Sequence, residues 1–570
     1  MHKVRSVLTT FKRAAIDVRR ARERAWLAAT TRRVAVVRRR DDGDARARAS
    51  RVAHPAHAAA ARDRRRKCCV FVRGWALHRP GGTPVNDPSS RIGQILWPAV
   101  RASRGEAGLD ALGPLLAEFP PGGVIVFGEG MERVDRLIAR LRLRAGTDLL
   151  VAADLERGCG QQVREASTLP PAMAIAACPE PSAAYEAGLL TGLEARAAGI
   201  DVVFAPVADV NTAATNPIIA TRSFGDDPHR VAALVSAFAA GLRDGGVLAV
   251  AKHFPGHGRT VQDSHDVLAR VTASRAELEA VDLVPFRTLI AEDVGGIMVG
   301  HLEVPALDPV PGRPATRSPS VVLELLREQL GYRGLVVTDA LDMGGFRSDA
   351  ERAVDILQSG VDVLLMPRDP LATGESLEAA HGQHWLPDEV LDAAVARIDA
   401  ARERVRGASR PTRAPDASLP QRLLAGSLTA RGRPVPPLVA GVPVEVTLFG
   451  EDLNGMVVPA FLEALEAAGV PVTNDGRAAP RRIGLVLTSV RAWLGRSRLT
   501  DEDHRRLHWH VSHRQLEPVV VLGSPYDALD LPEDQPALIG YEPTPAAAAA
   551  VVRVLLGVAS APGRLPVGPA

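Results

Sequence analysis

Cysteine is scarce: Cys68, Cys69, Cys159 and Cys178 are the only four in 570 residues. So few cannot staple a chain of this length. A disulfide scaffold is excluded, and a reducing, cytoplasmic compartment is expected. The four follow no zinc-ligand spacing, and neither a metal nor a cofactor is expected. No run of about 18 or more uncharged apolar residues occurs, so no membrane-spanning helix is read. No secretory signal is expected, because no clear apolar stretch leads to a small-residue cleavage site. Neither G-x-G-x-x-G nor G-x-x-x-x-G-K-[ST] opens a helical pattern. Dinucleotide and P-loop chemistry therefore lack their phosphate cradle.

Charge is unevenly spread. The formal net charge is +3, but residues 1–67 hold 21 Lys and Arg against 6 Asp and Glu, while the rest of the chain holds 48 against 60. The basicity sits in one tail and the body is acidic. Residues 1–80 read as a basic N-terminal extension. Parts such as "RRARERAWLAATTRRVAVVRRR" have the composition of a basic helix that meets nucleic acid or an anionic surface. The Ala/Arg bias and the shortage of aromatics fit a solvated extension without a packed core better. No nucleic-acid or membrane partner is expected, and the sequence assigns no oligomeric state.

From about residue 88 the texture changes. Apolar runs of strand character are "GGVIVF" (122–127), "LLVAAD" (149–154), "IDVVFAPV" (200–207), "VLAVAKH" (247–253), "VGGIMVGH" (294–301), "GLVVTD" (334–339) and "VDVLLMP" (361–367). Helical patterns lie between them, several stopped by glycine. Near-continuous apolar strands alternating with helices indicate a parallel sheet covered by helices. The fold class is therefore α/β: a (β/α)8-type TIM barrel over 88–405, with a doubly wound open sheet as the second choice. "RGASRPTRAPDASLP" falls in a linker over 406–425. Strands "VEVTLFG", "IGLVLTS" and "PVVVLGSP" with intervening helices then read as a smaller α/β domain over 426–570.

Several strands end in a polar or charged residue: Asp154, Lys252 and His253, His301, Asp339. Barrel enzymes place chemistry on that rim. Asp339 is the sharpest candidate, because a carboxylate at the end of an apolar strand is costly to bury unless it is used or paired. A helix N-cap is the plainer explanation for a strand-end Asp. The loop "KHFPGHGRTVQDSH", Lys252 to His265, shifts the balance. Asp263 and His265 sit two apart, so the carboxylate can hold the imidazole in one tautomer and support its protonated form. His253, His257, Asp263 and His265 are also possible metal ligands, but a glycine-rich loop is a poor cage.

The run "KHFPGHG" followed by "DSH" resembles the signature of glycoside hydrolase family 3 β-N-acetylglucosaminidases. "APVADVNTAATNPIIATRSFGDDP", "MVGHLEVPALDP", "GLVVTDALDM", "GVDVLLMP", "RIGQILWP" and the terminal "GRLPV" resemble the family in the expected order. The resemblance spans roughly residues 88–570. It implies that Asp339 is the catalytic nucleophile and that His265, partnered by Asp263, is the general acid/base. It further implies that Lys252, His253, Arg222 and Asp154 bind the sugar. Many relatives read D-x-E-G-G-R-V-x-R after the Asp154 strand. This chain reads "DLERGCGQQVR", two residues longer, so Arg164 is only a provisional counterpart of the family's second arginine.

The implied reaction is retaining release of terminal GlcNAc from cell-wall fragments (muropeptides) or chitooligosaccharides through a glycosyl-Asp339 intermediate. A neutral imidazole, unlike a carboxylate, does not repel an incoming anion, and the family includes phosphorylases. Phosphate is thus an alternative acceptor, giving GlcNAc-1-phosphate. A catalytically inactive sugar-binding protein is the third reading. With a loop dyad in place, the C-terminal domain is expected to be structural.

Overall fold

A computed structural model describes residues 87–128, 134–145, 148–261, 268–343, 352–408, 413–473, 481–490 and 496–569. The chain divides into Met1–Thr83 and Pro84–Ala570. All described residues belong to the second unit, and the basic extension lies outside them.

Proline interrupts the strand that opens the barrel. β1 (Leu96–Trp97) and β2 (Ala99–Arg101) are separated by Pro98, which has no N–H to give to a ladder. There follow β3 (Gly123–Phe127), β4 (Leu150–Ala153), β5 (Val202–Val203), β6 (Leu248–Phe254), β7 (Ala269–Arg270), β8 (Gly296–Val299), β9 (Leu302–Glu303), β10 (Leu335–Thr338) and β11 (Leu364–Leu365). A seven-stranded sheet runs β10-β8-β6-β5-β4-β3-β2, parallel throughout. It closes on itself. Val337 bridges to Val363, just before β11, and β11 pairs with β1 through Leu96↔Leu364 and Trp97↔Leu365. With β1 and β2 taken as one strand across Pro98, eight parallel positions form the barrel. β7 and β9 pair separately.

β4, β6, β8 and β10 are buried along their whole length. Helices cover their outer faces and side chains fill the interior, which is why the runs are continuously apolar. Two covering helices, Ala183–Ala198 and Pro228–Asp244, approach through glycines. A Cβ on Gly188 would lie 2.1 Å from the Phe238 carbonyl oxygen, and one on Gly241 would lie 2.2 Å from that of Tyr185.

The second layer is a five-stranded sheet ordered β12-β16-β15-β14-β13: β12 (Thr429–Arg431), β13 (Val444–Gly450), β14 (Arg481–Leu487), β15 (Val519–Leu522) and β16 (Ala537–Ile539). Only β12 is antiparallel. Its core takes in Met173, Ala174 and Ala177 from a barrel helix, Ala172–Ala177. The segment read as linker contains a helix, Leu419–Ser427, which packs on that same barrel helix. The terminal "GRLPV" stretch returns to the barrel. Arg564 N–H donates to the Ala177 carbonyl at 2.9 Å, and Gly568 N–H donates to the Asp226 carboxylate at 2.7 Å.

Gly188→Val should force the two covering helices apart. The expected cost is about 1–3 kcal/mol, read as a drop of several degrees in the thermal midpoint. An unchanged midpoint would mean that the close approach contributes nothing.

Candidate active site

The site begins with an irregularity in β6. Its pairing with β8 shifts register between Ala251 and Phe254. Bulges of this kind re-aim side chains beside active sites. Consecutive strand residues normally leave opposite faces. Here, at the register shift, Lys252 and His253 both line one cavity of about 770 Å³ at the carboxyl end of the barrel.

Lys252 is almost fully buried, and its ammonium bridges two carboxylates, Asp154 at 2.7 Å and Glu156 at 2.6 Å. Arg222 grips Glu156 with two parallel bonds, Nε and Nη2, each 2.8 Å. Burial works against the Glu156 charge, but Arg222 and Lys252 outweigh it and hold the carboxyl well below the usual range. Burial likewise works against the Lys252 charge, and Asp154 and Glu156 outweigh it, raising the ammonium pKa. Glu156, Arg222 and Lys252 stay ionised because each is compensated.

A second carboxylate organises the histidines. Asp209 is wholly buried. It receives the His257 N–H at 2.6 Å, the His253 N–H at 3.3 Å, and the His253 Nδ1 at 2.7 Å. Burial opposes its charge, but His253 and His257 outweigh burial and keep its pKa low. The His257 Nδ1 lies 2.7 Å from the Thr260 hydroxyl. Burial first, then the neighbouring His253, push the His257 pKa down to about 4.

Asp339 follows β10 and is half-buried in the cavity. Its Oδ1 accepts the Ala340 N–H at 2.8 Å. Burial works against its charge, yet His253 and His301, then the Ala340 N–H and Lys252, outweigh it and depress its pKa. Asp339 is therefore a carboxylate at neutral pH, the state a nucleophile needs.

The structure brings Asp154, Arg222, Lys252, His253 and Asp339 together. It does not bring Arg164, which is exposed and absent from the cavity lining. The lengthened loop turns at Gly158, with φ of 80°, and folds back through the Gly160 N–H to the Ser167 carbonyl at 2.8 Å. Arg157 takes a place in the wall instead. Asp263 and His265 lie outside the described residues. The C-terminal domain also lines the cavity, through Thr488, Ser489, Ser524, Tyr541 and Glu542 among others. The domain expected to be structural thus also contributes to the cavity wall. Three contributors were not singled out from sequence: Glu156, Arg157 and Asp209. Glu156 stood in plain view, two residues after Asp154. Among the described residues, no cluster of three His, Cys, Asp or Glu is placed to hold a metal, and no helix is long and apolar enough to cross a membrane.

His257 makes the pH dependence of stability testable. Its folded pKa of about 4 lies below the ordinary 6.5. The stability that its neutral form contributes is fully present above pH 6.5 and is lost as pH falls through about 4. The loss is on the order of 3 kcal/mol. Urea unfolding of the wild type and His257→Gln should show the stability gap between them narrowing by that amount from neutral pH to pH 4. A constant gap would mean that His257 is not held neutral.

Residues 94–401 match the glycosyl hydrolase family 3 N terminal domain. The chain is 38% identical over 275 residues to a beta-hexosaminidase of Methylococcus capsulatus, covering 47% of this chain and 81% of that protein. It is 28% identical over 510 residues to a beta-N-acetylglucosaminidase/beta-glucosidase of Cellulomonas fimi, covering 80% of this chain and 90% of the relative. A solved glycoside hydrolase family 3 beta-N-acetylglucosaminidase from Paenibacillus sp. str. FPU-7 superposes with a TM-score of 0.68 at 29% identity, covering 84% of this chain and 98% of that one. A beta-glucoside phosphorylase shares the fold, with a TM-score of 0.74 at 22% identity over 84% of this chain and 94% of that one. The family match spans the whole barrel and every residue of its charged floor, and the chain belongs to glycosyl hydrolase family 3.

Proposed function

We propose that the protein is a retaining β-N-acetylhexosaminidase that releases terminal GlcNAc from cell-wall fragments or chitooligosaccharides. The observation that carries this reading is Asp339: a carboxylate kept ionised by His253, His301 and Lys252 on the floor of an open cavity. Beside it stand the paired groups Asp154, Lys252, Glu156 and Arg222, whose donors and acceptors suit sugar hydroxyls. The substrate class is supported by the relatives' names, beta-hexosaminidase and beta-N-acetylglucosaminidase.

In this reading the Asp339 carboxylate attacks the anomeric carbon as the bond to the leaving oxygen breaks. A proton from the His265 imidazolium neutralises that oxygen, and Asp263 stabilises the imidazolium. The glycosyl-Asp339 ester is then opened by water, whose proton returns to the now neutral His265. An imidazole has an ordinary pKa of about 6.5, so it serves both steps near neutrality.

Asp339→Ala should lower turnover of an aryl β-GlcNAc by several orders of magnitude with little loss of folding, since a rim residue is not core packing. A slow 2-fluoro glycosyl substrate should label Asp339 in the wild type. Labelling of Asp342 or Glu303 instead would overturn the assignment. Product analysis with added phosphate separates acceptors: free GlcNAc throughout supports hydrolysis, whereas GlcNAc-1-phosphate rising with phosphate would make the protein a phosphorylase.

A further inference from the structure

The wall that the C-terminal domain presents to the cavity is built mostly of uncharged groups, such as Ser489, Ser497, Gly523 and Ser524. Among its described residues Glu542 alone carries a charge. The Glu542 side chain is 9% exposed and forms an ion pair with Arg157. Arg157 belongs to the lengthened loop after Asp154 and directly follows Glu156, the residue that clamps Arg222 and Lys252. The pair therefore starts one residue from the charged floor and reaches across to the opposite wall. Its loop holds Arg157 in place as well: the backbone N–H donates to Gln161 Oε1 at 3.1 Å, and Nε donates to the Leu169 carbonyl at 3.4 Å.

The other lining cations are engaged too. Lys252 and Arg222 belong to the floor network. Arg101 stacks over Phe127 at 4.6 Å. Among the described lining residues, four cations, Arg101, Arg157, Arg222 and Lys252, face five carboxylates, Asp154, Glu156, Asp339, Asp342 and Glu542. Without Glu542, Arg157 would stand uncompensated in a partly desolvated wall, ready to take a carboxylate by two parallel bonds. With Glu542, that capacity is used.

We infer that the Arg157–Glu542 pair determines leaving-group specificity: it reserves the C-terminal part of the cavity wall for an uncharged sugar and discriminates against a leaving group that bears a carboxylate. The inference rests on the glycosidase reading of the floor and narrows it: of the two substrate classes proposed, it favours chitooligosaccharides over cell-wall fragments, whose leaving sugar bears carboxylate groups. A sugar whose anomeric carbon faces Asp339 occupies the barrel's mouth, so the group it releases lies toward the C-terminal wall. A neutral second sugar, as in a chitooligosaccharide, meets hydroxyls and a cancelled charge there. An anionic one meets a site with a surplus of carboxylate.

The test uses the full chain and two matched β-GlcNAc aryl glycosides, one with a para-carboxylate and one with a para-carboxamide. The readout is the ratio of their kcat/KM values, carboxylate over carboxamide, at low salt. Glu542→Gln uncovers Arg157 and should raise the ratio about tenfold, the scale of one unit charge across a partly solvated gap. Arg157→Gln leaves Glu542 uncompensated and should lower the ratio several-fold. Should either variant fail to fold, the wild type still reports: raising salt from about 0.02 M to about 0.5 M should raise its ratio by screening the repulsion. A ratio within twofold of the starting value in every folded variant and at both salts would overturn the inference and leave the pair as a domain clasp. If the wild type cleaves neither glycoside, the hexosaminidase reading itself falls, and this inference with it.

Discussion

Two cations, buried Lys252 and partly buried Arg222, lie side by side in the floor of this site, and Glu156 is what permits it. The carboxylate takes two bonds from Arg222 and one from Lys252. Asp154 completes the balance from the end of β4. A buried charge that loses its partner costs about 3–5 kcal/mol, so none of these residues is independent of the others. The barrel makes the cluster affordable. It delivers Asp154 and Glu156 after β4, Arg222 after β5 and Lys252 at the end of β6, so that four residues distant in sequence meet on one rim. A sugar entering here exchanges existing hydrogen bonds for its own, rather than meeting bare charge.

Environment then sorts the remaining acids. Asp209, Glu156 and Asp339 sit next to histidines or cations that outweigh burial, and all three are held ionised. Asp342 and Glu542 line the same cavity, but for them burial wins over Arg101 and Arg157 respectively, and their pKa values rise. Carboxylates with opposite tendencies in one cavity are how a site separates roles among like groups. Asp209 does not itself line the cavity, yet it fixes the His253 ring through Nδ1, and His253 is foremost among the groups that keep Asp339 charged. The chain of causes thus runs from a wholly buried aspartate, through an imidazole, to the carboxylate on the floor.

The apolar runs of β3, β4, β5, β6, β8, β10 and β11 were legible because a doubly covered parallel strand has no reason to alternate. The opening strand was not, since Pro98 cuts "ILWPAVR" into pieces too short to read. β16 is three residues long and hides in "QPALIGYE". The helix Asp501–Arg514 buries only Leu507, so it shows no apolar stripe. Its signal was at the start, where the Thr500 hydroxyl caps the Asp503 N–H ahead of an acidic first turn. Asp154, Lys252, His253 and Asp339 were legible as polar ends of apolar strands. Asp209 sits among apolar neighbours in "APVADV", where nothing local announces a partner 44 residues away. Arg164 was only a provisional candidate because the loop is two residues longer than the family pattern, and it stands outside the cavity lining.

The C-terminal wall was hardest to foresee, and its origin is architectural. Thr488 and Ser489 follow β14, Gly523 and Ser524 follow β15, and Tyr541 and Glu542 follow β16 shortly after. Each lies at the carboxyl end of a parallel strand, as the barrel's own site residues do. The cavity is therefore enclosed between the carboxyl ends of two parallel sheets, the position where α/β folds gather ligands. Serines and a glycine at strand ends carry no motif, so only the meeting of the two sheets reveals them. That meeting is fixed by apolar packing of Met173 in the second core and by the return of the "GRLPV" segment to Asp226 and Ala177. In the proposed reaction the barrel supplies the groups that hold and attack a sugar. Among the described residues the second sheet lines the cavity with neutral groups and one compensated carboxylate, a surface that the catalytic motifs never mention.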